Sequence, residues 1–361
     1  MPNSTSRARR SSLGTLQLGR ALAALAVVGF HADVILREPE YFGRDLVPAL
    51  NAGDSGVNYF FVLSGFVLLI AHHKDFGRST AWRVFAWKRF KRIYPTLWIV
   101  LSGALLIFIL NPGLGKGPER HVGTVVSAFL TLPAQHDYLL APEWTLRHEF
   151  LFYLVFALAL AAPRFGALIA GAWFTGSIIV SFTNADHLLW FAFSPFHLLF
   201  LGGLGAAFLY LRGFWRFART ALIVGLILFA ACWIAVVRGA ADDPRMIVLR
   251  GLGAVLIVFG AAVLETQGKI RVPKWMLFLG DASYAIYLVH FPVIFLGADI
   301  AISLHHSVGY PGWLAVLVLF IVATLVGIAF HVVVERPLLR LLARWNPRSL
   351  TPAKQRESSS V

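Results

Sequence analysis

Helix-length apolar runs recur along this chain from one end to the other, near residues 16–36, 57–73, 93–110, 146–162, 166–182, 187–210, 219–237, 246–264, 282–298 and 312–334. Inside a bilayer each backbone polar group must be satisfied within the segment, and about 20 residues of helix span the hydrocarbon. The predicted fold is therefore all-α: a polytopic integral membrane bundle of about ten transmembrane helices. A hydrophobic content of 58% against 14% charged residues lies outside the soluble range. A chain of 361 residues would suggest two or three soluble domains, but the apolar runs leave no room for one. One membrane domain is expected over 15–345, between a basic tail at 1–14 and a polar tail at 346–361. The stretch "HVGTVVSAFLTL" at 121–132 is too short to cross and is expected at the interface or beneath a loop, with an eleventh, partial span as the alternative. The single cysteine, Cys232, excludes an intramolecular disulfide and a Cys-based metal site, and no metal is expected.

A net charge of +14 raises the question of nucleic acid, but the basic residues are dispersed among short loops and tails. Membrane topology accounts for them better, and no nucleic-acid partner is expected. The amino tail carries Arg7, Arg9 and Arg10, and the second connection carries Lys74, Arg78, Arg83, Lys88, Arg89, Lys91 and Arg92 against Asp75 alone. Later even-numbered connections keep the bias through Arg164, through Arg212, Arg216 and Arg219, and through Lys269, Arg271 and Lys274. Odd-numbered connections are neutral or acidic, as Glu38, Glu40, Asp45 and Asp54 show. Both termini are thus expected in the cytoplasm. Arg20 within the first run and the lack of an A-x-A-like site predict a retained signal anchor.

Arg20 and His31 in "RALAALAVVGFH" are ionisable groups eleven positions apart in the first apolar run. Eleven helical residues turn through about 1100° and climb about 16 Å, so both side chains share one face at two depths. Intramembrane ionisable groups line functional cavities by default, although an arginine at a helix end also snorkels to headgroups. The fourth predicted helix runs inward, which puts Glu149 of "PEWTLRHEFLFYLVF" near the outer surface at the depth of His31. There it would orient a histidine base; a solvated carboxylate at a helix amino end, or pairing with Arg147 or His148, is the plainer reading.

The cluster "KRFKRIYP" at 88–95, with Arg83 upstream, can hold a polyphosphate or an anionic lipid, or serve only as topogenic charge. No G-x-G-x-x-G or Walker sequence occurs, so phosphates would have to be met by such side chains, and nucleotide-driven pumps are disfavoured. The ninth run, "FLGDASYAIYLVH", offers Asp281, Ser283, Tyr284, Tyr287 and His290 as a polar stripe for a cavity or for packing. Ser283 and His290 are about 10 Å apart along the axis, too far for a hydrolase dyad. Ser64 and Gly65 in "FFVLSGFVLL" are assigned to close helix packing.

Taken in order, "RALAALAVVGFH", "GVNYFFVLSGF", "KRFKRIYP", "WTLRHEFLFY", "LGDASYAIYLVH" and "VERPLL" resemble the membrane-bound acyltransferase 3 family over about residues 14–345. The likeness is strongest to its exopolysaccharide and lipopolysaccharide O-acetyltransferase branch. The resemblance implies transfer of an acyl group, usually acetyl, from cytoplasmic acyl-CoA to a hydroxyl of an envelope or exported carbohydrate, at the inner membrane. No permanently bound cofactor is implied. It also implies site roles: His31 and Glu149 in catalysis; Arg20, Lys88, Arg89, Lys91, Arg92 and Tyr94 at the donor; Asn58, Trp144, Ser283, Tyr287 and His290 at a carbohydrate or lipid-linked glycan acceptor. Family members often carry an acidic residue where this chain has Asn58. Some relatives append an extracytoplasmic hydrolase-like domain, whereas a short basic tail is expected to follow the tenth helix here.

On this reading the donor arm threads up one helix-lined cavity from Arg20 to His31, which acts as general base or is itself transiently acylated. Acylation of a small glycoside or of peptidoglycan stays open. So does a secondary transporter using the same groups as a proton pathway, although no internal repeat is visible.

Overall fold

A computed structural model describes residues 13–114, 117–133, 138–183 and 186–344; the basic residues of the amino tail and the polar carboxyl tail lie outside them. Thirteen helices follow in order: α1 (Gly14–Leu36), α2 (Ser55–His72), α3 (Ala81–Leu110), α4 (Val122–Leu130), α5 (Glu143–Ala161), α6 (Pro163–Val180), α7 (His187–Ala192), α8 (Pro195–Leu211), α9 (Ala218–Val237), α10 (Pro244–Thr266), α11 (Lys274–Val308), α12 (Gly312–Phe330) and α13 (Arg336–Ala343). A π-helical turn, His331–Glu335, joins the last two. Among the described residues there is no strand, and ten helical stretches are long and apolar enough to cross a membrane.

Apolar runs located the spans but not their full lengths. α3 starts at Ala81, twelve residues before the apolar run at 93, because the basic segment between is free of helix breakers and simply extends the helix. α11 covers 35 residues and tolerates Pro292 in its interior. Its polar ends continue a helix whose middle alone is hydrophobic enough to be recognised as a span.

Small residues let the central helices meet backbone to backbone, as expected where dispersion rather than water exclusion drives packing. A Cβ on Gly65 would stand 2.2 Å from the Phe200 carbonyl oxygen, and one on Gly203 would stand 2.0 Å from that of Val62. The assignment of Gly65 to close packing of α2 on another helix therefore holds. Gly280 brings α11 equally close to Gln17 of α1. The first turn of α1 is held by Glu265 of α10, which accepts from Gly14 N at 2.7 Å and from Thr15 N at 2.8 Å. Those amides have no partner within their own helix, and a carboxylate there also favours the helix dipole.

Of the positions open to the segment at 121–132, the contacts of its helix match the partial span. Trp98 Nε1 donates to the Phe129 carbonyl at 2.8 Å, and Tyr94 Oη meets Thr131 Oγ1 at 2.7 Å. Tyr94 lies 16 residues before the end of α3, about 24 Å along its axis. α4 therefore runs down beside α3 as a re-entrant helix. A short helix survives at that depth because side chains of α3 take up its last carbonyls. Thr131 then turns the chain with a left-handed φ of 53°. The chain enters α5 below the rim: Glu143 and Arg147 in its first two turns are 2% and 1% exposed.

Candidate functional site

The sunken start of α5 decides the depth of Glu149. Instead of standing level with His31, Glu149 lines a chamber of about 130 Å³ with Arg20 of α1 and Arg89 and Arg92 of α3. Ser64 donates to its Oε1 at 2.5 Å, and the Tyr153 hydroxyl donates to the same oxygen. The alternative, pairing with Arg147 or His148, is not what the structure shows either. Arg147 holds Glu143 at 2.5 Å, and His148 Nδ1 meets His197 Nε2 at 3.0 Å.

The guanidinium groups of this arginine chamber are positioned from behind. Arg20 Nε donates to Ser283 Oγ at 3.1 Å and lies 3.3 Å from the Gly280 carbonyl. Arg92 donates to Glu335 at 3.2 Å and lies over the Tyr284 ring, 5.5 Å from its centroid. Glu335 is fully buried, and its other oxygen contacts His331 Nδ1 at 2.6 Å. Three cations thus face two carboxylates, leaving the chamber one positive charge in excess and suited to an anionic ligand.

His31 lines a second chamber, of about 560 Å³, between α1, α3 and α11. Its partner is His290: His290 Nε2 lies 3.1 Å from His31 Nδ1. The tautomers follow from the carbonyls alone. Val27 O lies 3.1 Å from His31 Nδ1 and Ile286 O lies 3.2 Å from His290 Nδ1, and a carbonyl can only accept. Both Nδ1 atoms therefore carry protons, and His290 Nε2 is the acceptor for His31. In a neutral His31 ring the nitrogen left without a proton is then Nε2, the atom a general base needs.

The two chambers share no lining residue, so the single cavity expected between Arg20 and His31 is divided in this structure. Tyr287 stands at the divide. It lines the arginine chamber, its ring lies 5.8 Å from that of His290, and its hydroxyl contacts Thr145 at 2.8 Å and the Pro142 carbonyl at 3.1 Å.

Of the residues singled out in the sequence, Arg20, Arg89, Arg92, Glu149, Ser283 and Tyr287 come together at the arginine chamber, while His290 joins His31. Tyr284 and Ser64 line the arginine chamber too, whereas the remaining residues given a site role line neither. Asn58 is buried and donates to the Ile247 carbonyl at 3.3 Å, tying α2 to α10. Trp144 packs among Phe61, Phe196 and His148. Lys88 is exposed, and Lys91 reaches the Leu342 carbonyl at 3.4 Å. Tyr94 is engaged by the tip of α4. The basic cluster winds around a helix, so only the face carrying Arg89 and Arg92 can point inward.

Sequence reasoning missed Ser64, Tyr153, Glu335 and His331. Tyr153 is four residues after Glu149, and His331 four before Glu335, spacings that place side chains together on a helix. That signal was readable. The His148–His197 contact joins residues 49 apart and had none.

An acyltransferase domain family matches residues 13–332. The exopolysaccharide production protein ExoZ of Rhizobium meliloti (strain 1021) is 33% identical over 302 residues, covering 80% of this chain and 90% of that protein. The acyltransferase MdmB of Streptomyces mycarofaciens is 29% identical over 374 aligned positions, covering 92% and 93%. Protein 2 in the picA locus of Rhizobium radiobacter is 32% identical over 157 residues, covering 38% of this chain and 77% of that protein. No solved structure gives a significant match. A multi-pass helical bundle with a cationic chamber and a paired histidine on one helix therefore carries the acyltransferase domain over nearly its whole length: the chain belongs to the acyltransferase 3 family, in the branch that includes an exopolysaccharide production protein, and is an acyl-transferring enzyme.

Proposed function

We propose that this enzyme transfers an acetyl group from cytoplasmic acetyl-CoA to a hydroxyl of an envelope or exported carbohydrate, within the inner membrane. The observation that carries this reading is the separation of tasks along α1: guanidinium groups surround Arg20, and an imidazole with a free Nε2 faces a second chamber about 16 Å farther on. The loop-charge bias supports a cytoplasmic arginine chamber. Likeness to an exopolysaccharide production protein supports a glycan acceptor.

Arg20, Arg89 and Arg92 hold the donor phosphates, and the pantetheine arm passes Tyr287 to bring the thioester to His31. The acceptor hydroxyl oxygen attacks the thioester carbonyl while its proton moves to His31 Nε2. Collapse of the tetrahedral intermediate breaks the carbon–sulfur bond, and the same proton passes to the leaving thiolate. Ester and free CoA leave, and the imidazole is neutral again. His290 keeps His31 Nδ1–H oriented throughout. Glu149, held by Ser64 and Tyr153, spaces the guanidinium groups around the donor site.

The test is purified protein in vesicles with radiolabelled acetyl-CoA and surface glycans from a strain lacking the enzyme. An alkali-labile acetyl ester on the glycan is expected. Movement of substrate across the vesicle without any ester would replace this reading with transport.

A further inference from the structure

A third chamber, of about 220 Å³, lies between α3 and α5 and borders the arginine chamber, since Arg89, Ile93, Leu146 and Tyr153 line both. The rest of its wall is mostly carbon, from Phe85, Phe90, Phe150, Leu154 and Ala157. Leu154 is 52% exposed and Ala86, also in the lining, is exposed too; both stand on membrane-spanning helices, so the chamber opens sideways towards lipid. Three of its polar side chains are already satisfied. Tyr94 Oη and Thr131 Oγ1 meet at 2.7 Å, and the Tyr153 hydroxyl donates to Glu149. Arg89 is the exception. Arg20 is held by Ser283 and Arg92 by Glu335, whereas the Arg89 guanidinium has only ring faces, 5.9 Å from the Phe85 centroid and 5.7 Å from that of Tyr153. Its Nε is buried without a hydrogen-bond partner, and among the described residues no carboxylate pairs with it.

A buried guanidinium without an anion is costly, and contact with two rings returns only part of that cost. One carboxylate matches one guanidinium fork on fork. An alkyl chain behind that carboxylate loses nothing by exchanging lipid tails for phenylalanine walls, so the head group supplies the affinity and the chain supplies the route of entry. The space suits one chain rather than two. We infer that this side chamber binds a fatty carboxylate drawn from the surrounding leaflet, with its head on Arg89 and its chain between α3 and α5, and that the bound lipid competes with the acyl donor for the same guanidinium. The site is a single buried arginine, distinct from adsorption of head groups on exposed cations such as Lys88. The competition rests on the donor reading of the arginine chamber given above; the binding does not.

The experiment uses the full protein in phosphatidylcholine nanodiscs and has two readouts. In the first, a palmitate analogue with a mid-chain diazirine is photolysed on the protein and the adducts are mapped by mass spectrometry. Adducts are expected on residues 85–94 of α3 and 150–157 of α5, removed by excess oleate but not by oleyl alcohol, and lost in Arg89→Gln. In the second, binding of radiolabelled acetyl-CoA is titrated with and without oleate. Oleate should raise the apparent Kd about tenfold, the scale of one charge-assisted contact, and saturating acetyl-CoA should overcome it. Oleyl alcohol, and phosphatidylglycerol at the same surface charge, should leave the Kd unchanged. Ala157→Phe and, separately, Leu154→Trp fill the chamber from the α5 side; each should keep the donor Kd and lose the effect of oleate. Adducts confined to other helices, or displaced equally by oleyl alcohol, overturn the site. An oleate effect matched by phosphatidylglycerol, or kept in both filled variants, overturns the competition and assigns it to surface charge. Absence of acetyl-CoA binding without any oleate removes the donor reading instead, and the adduct map then judges the site by itself.

Discussion

The two chambers on α1 handle polar groups in opposite ways. Around Arg20 the charges are numerous and tied to one another: Arg92 to Glu335, Glu335 to His331, Glu149 to Ser64 and Tyr153. Around His31 the walls are phenylalanine and aliphatic carbon, and the imidazole is fixed by His290 and the Val27 carbonyl, with His290 itself held by the Ile286 carbonyl. The first arrangement suits binding of a permanent polyanion, because the guanidinium groups are charged before the ligand arrives. The second suits proton transfer, because the contacts at both Nδ1 atoms and at His290 Nε2 leave one imidazole nitrogen, His31 Nε2, open. The difference teaches that one helix can serve both needs only if they are kept at different depths, and Tyr287 marks the line between them.

The sharpest way to break this contrast is at the base. His31→Ala should lower kcat by about 10²–10⁴-fold, the usual contribution of a positioned general base, with membrane abundance and the KM for acetyl-CoA little changed. A variant that transfers acetyl at the parental rate removes His31 from the chemistry. Next in size is the buried pair Glu143–Arg147, which secures the start of α5 and, through Leu139 N donating to Glu143 at 3.2 Å, a wall of the histidine chamber. Arg147→Ala leaves a buried carboxylate unpaired and should cost about 3–5 kcal/mol of stability, seen as a fall in the thermal unfolding midpoint. An unchanged midpoint would mean that water or a rearranged partner replaces the guanidinium.

The arginine chamber should respond in KM rather than kcat. Arg20→Ala or Arg92→Ala each deletes charge-assisted bonds worth about 1.5–3 kcal/mol, which corresponds to about a 10–100-fold weaker hold on acetyl-CoA. A drop in kcat at constant donor affinity would merge the two chambers into one catalytic unit. A smaller effect is expected at His290→Asn, where one orienting hydrogen bond worth about 0.5–1.5 kcal/mol is altered and kcat falls by up to about tenfold. The smallest belongs to the exposed pair Arg37–Asp45, at 2.6 Å on the first connection. Its hydrogen bond to Arg37 holds the Asp45 carboxyl below the usual range. Any stability it adds is present above the unfolded pKa and is lost as pH falls through the lower folded value. Exposed pairs contribute less than about 1 kcal/mol, so Asp45→Asn should leave the neutral-pH midpoint nearly unmoved and flatten only the acid limb. A large shift at neutral pH would show that this loop supports the histidine chamber.

Hydropathy located all ten spans because burial in lipid demands an unbroken apolar run, a property local to each segment. Arg20 and His31 were legible as a pair for a similar reason, since helical spacing fixes their relative face and height. Glu149 was misplaced because its depth depends on where α5 begins, and that depends on α4 turning inward beside α3. No pattern within α5 reports this. His290, read as an acceptor contact, became the partner of His31 through the packing of α1 against α11. Ser64, read as a packing residue beside Gly65, instead faces Glu149 across the bundle.

By itself the amino-acid sequence determined the helical membrane class, the number of spans, the acyltransferase resemblance and the two polar levels on α1. All are consequences of period and composition along one stretch of chain. Tertiary structure alone decided which groups share a chamber, which nitrogen of His31 is free and where the cavity divides, because these depend on the height at which each helix enters its neighbours and on contacts between residues far apart in the chain.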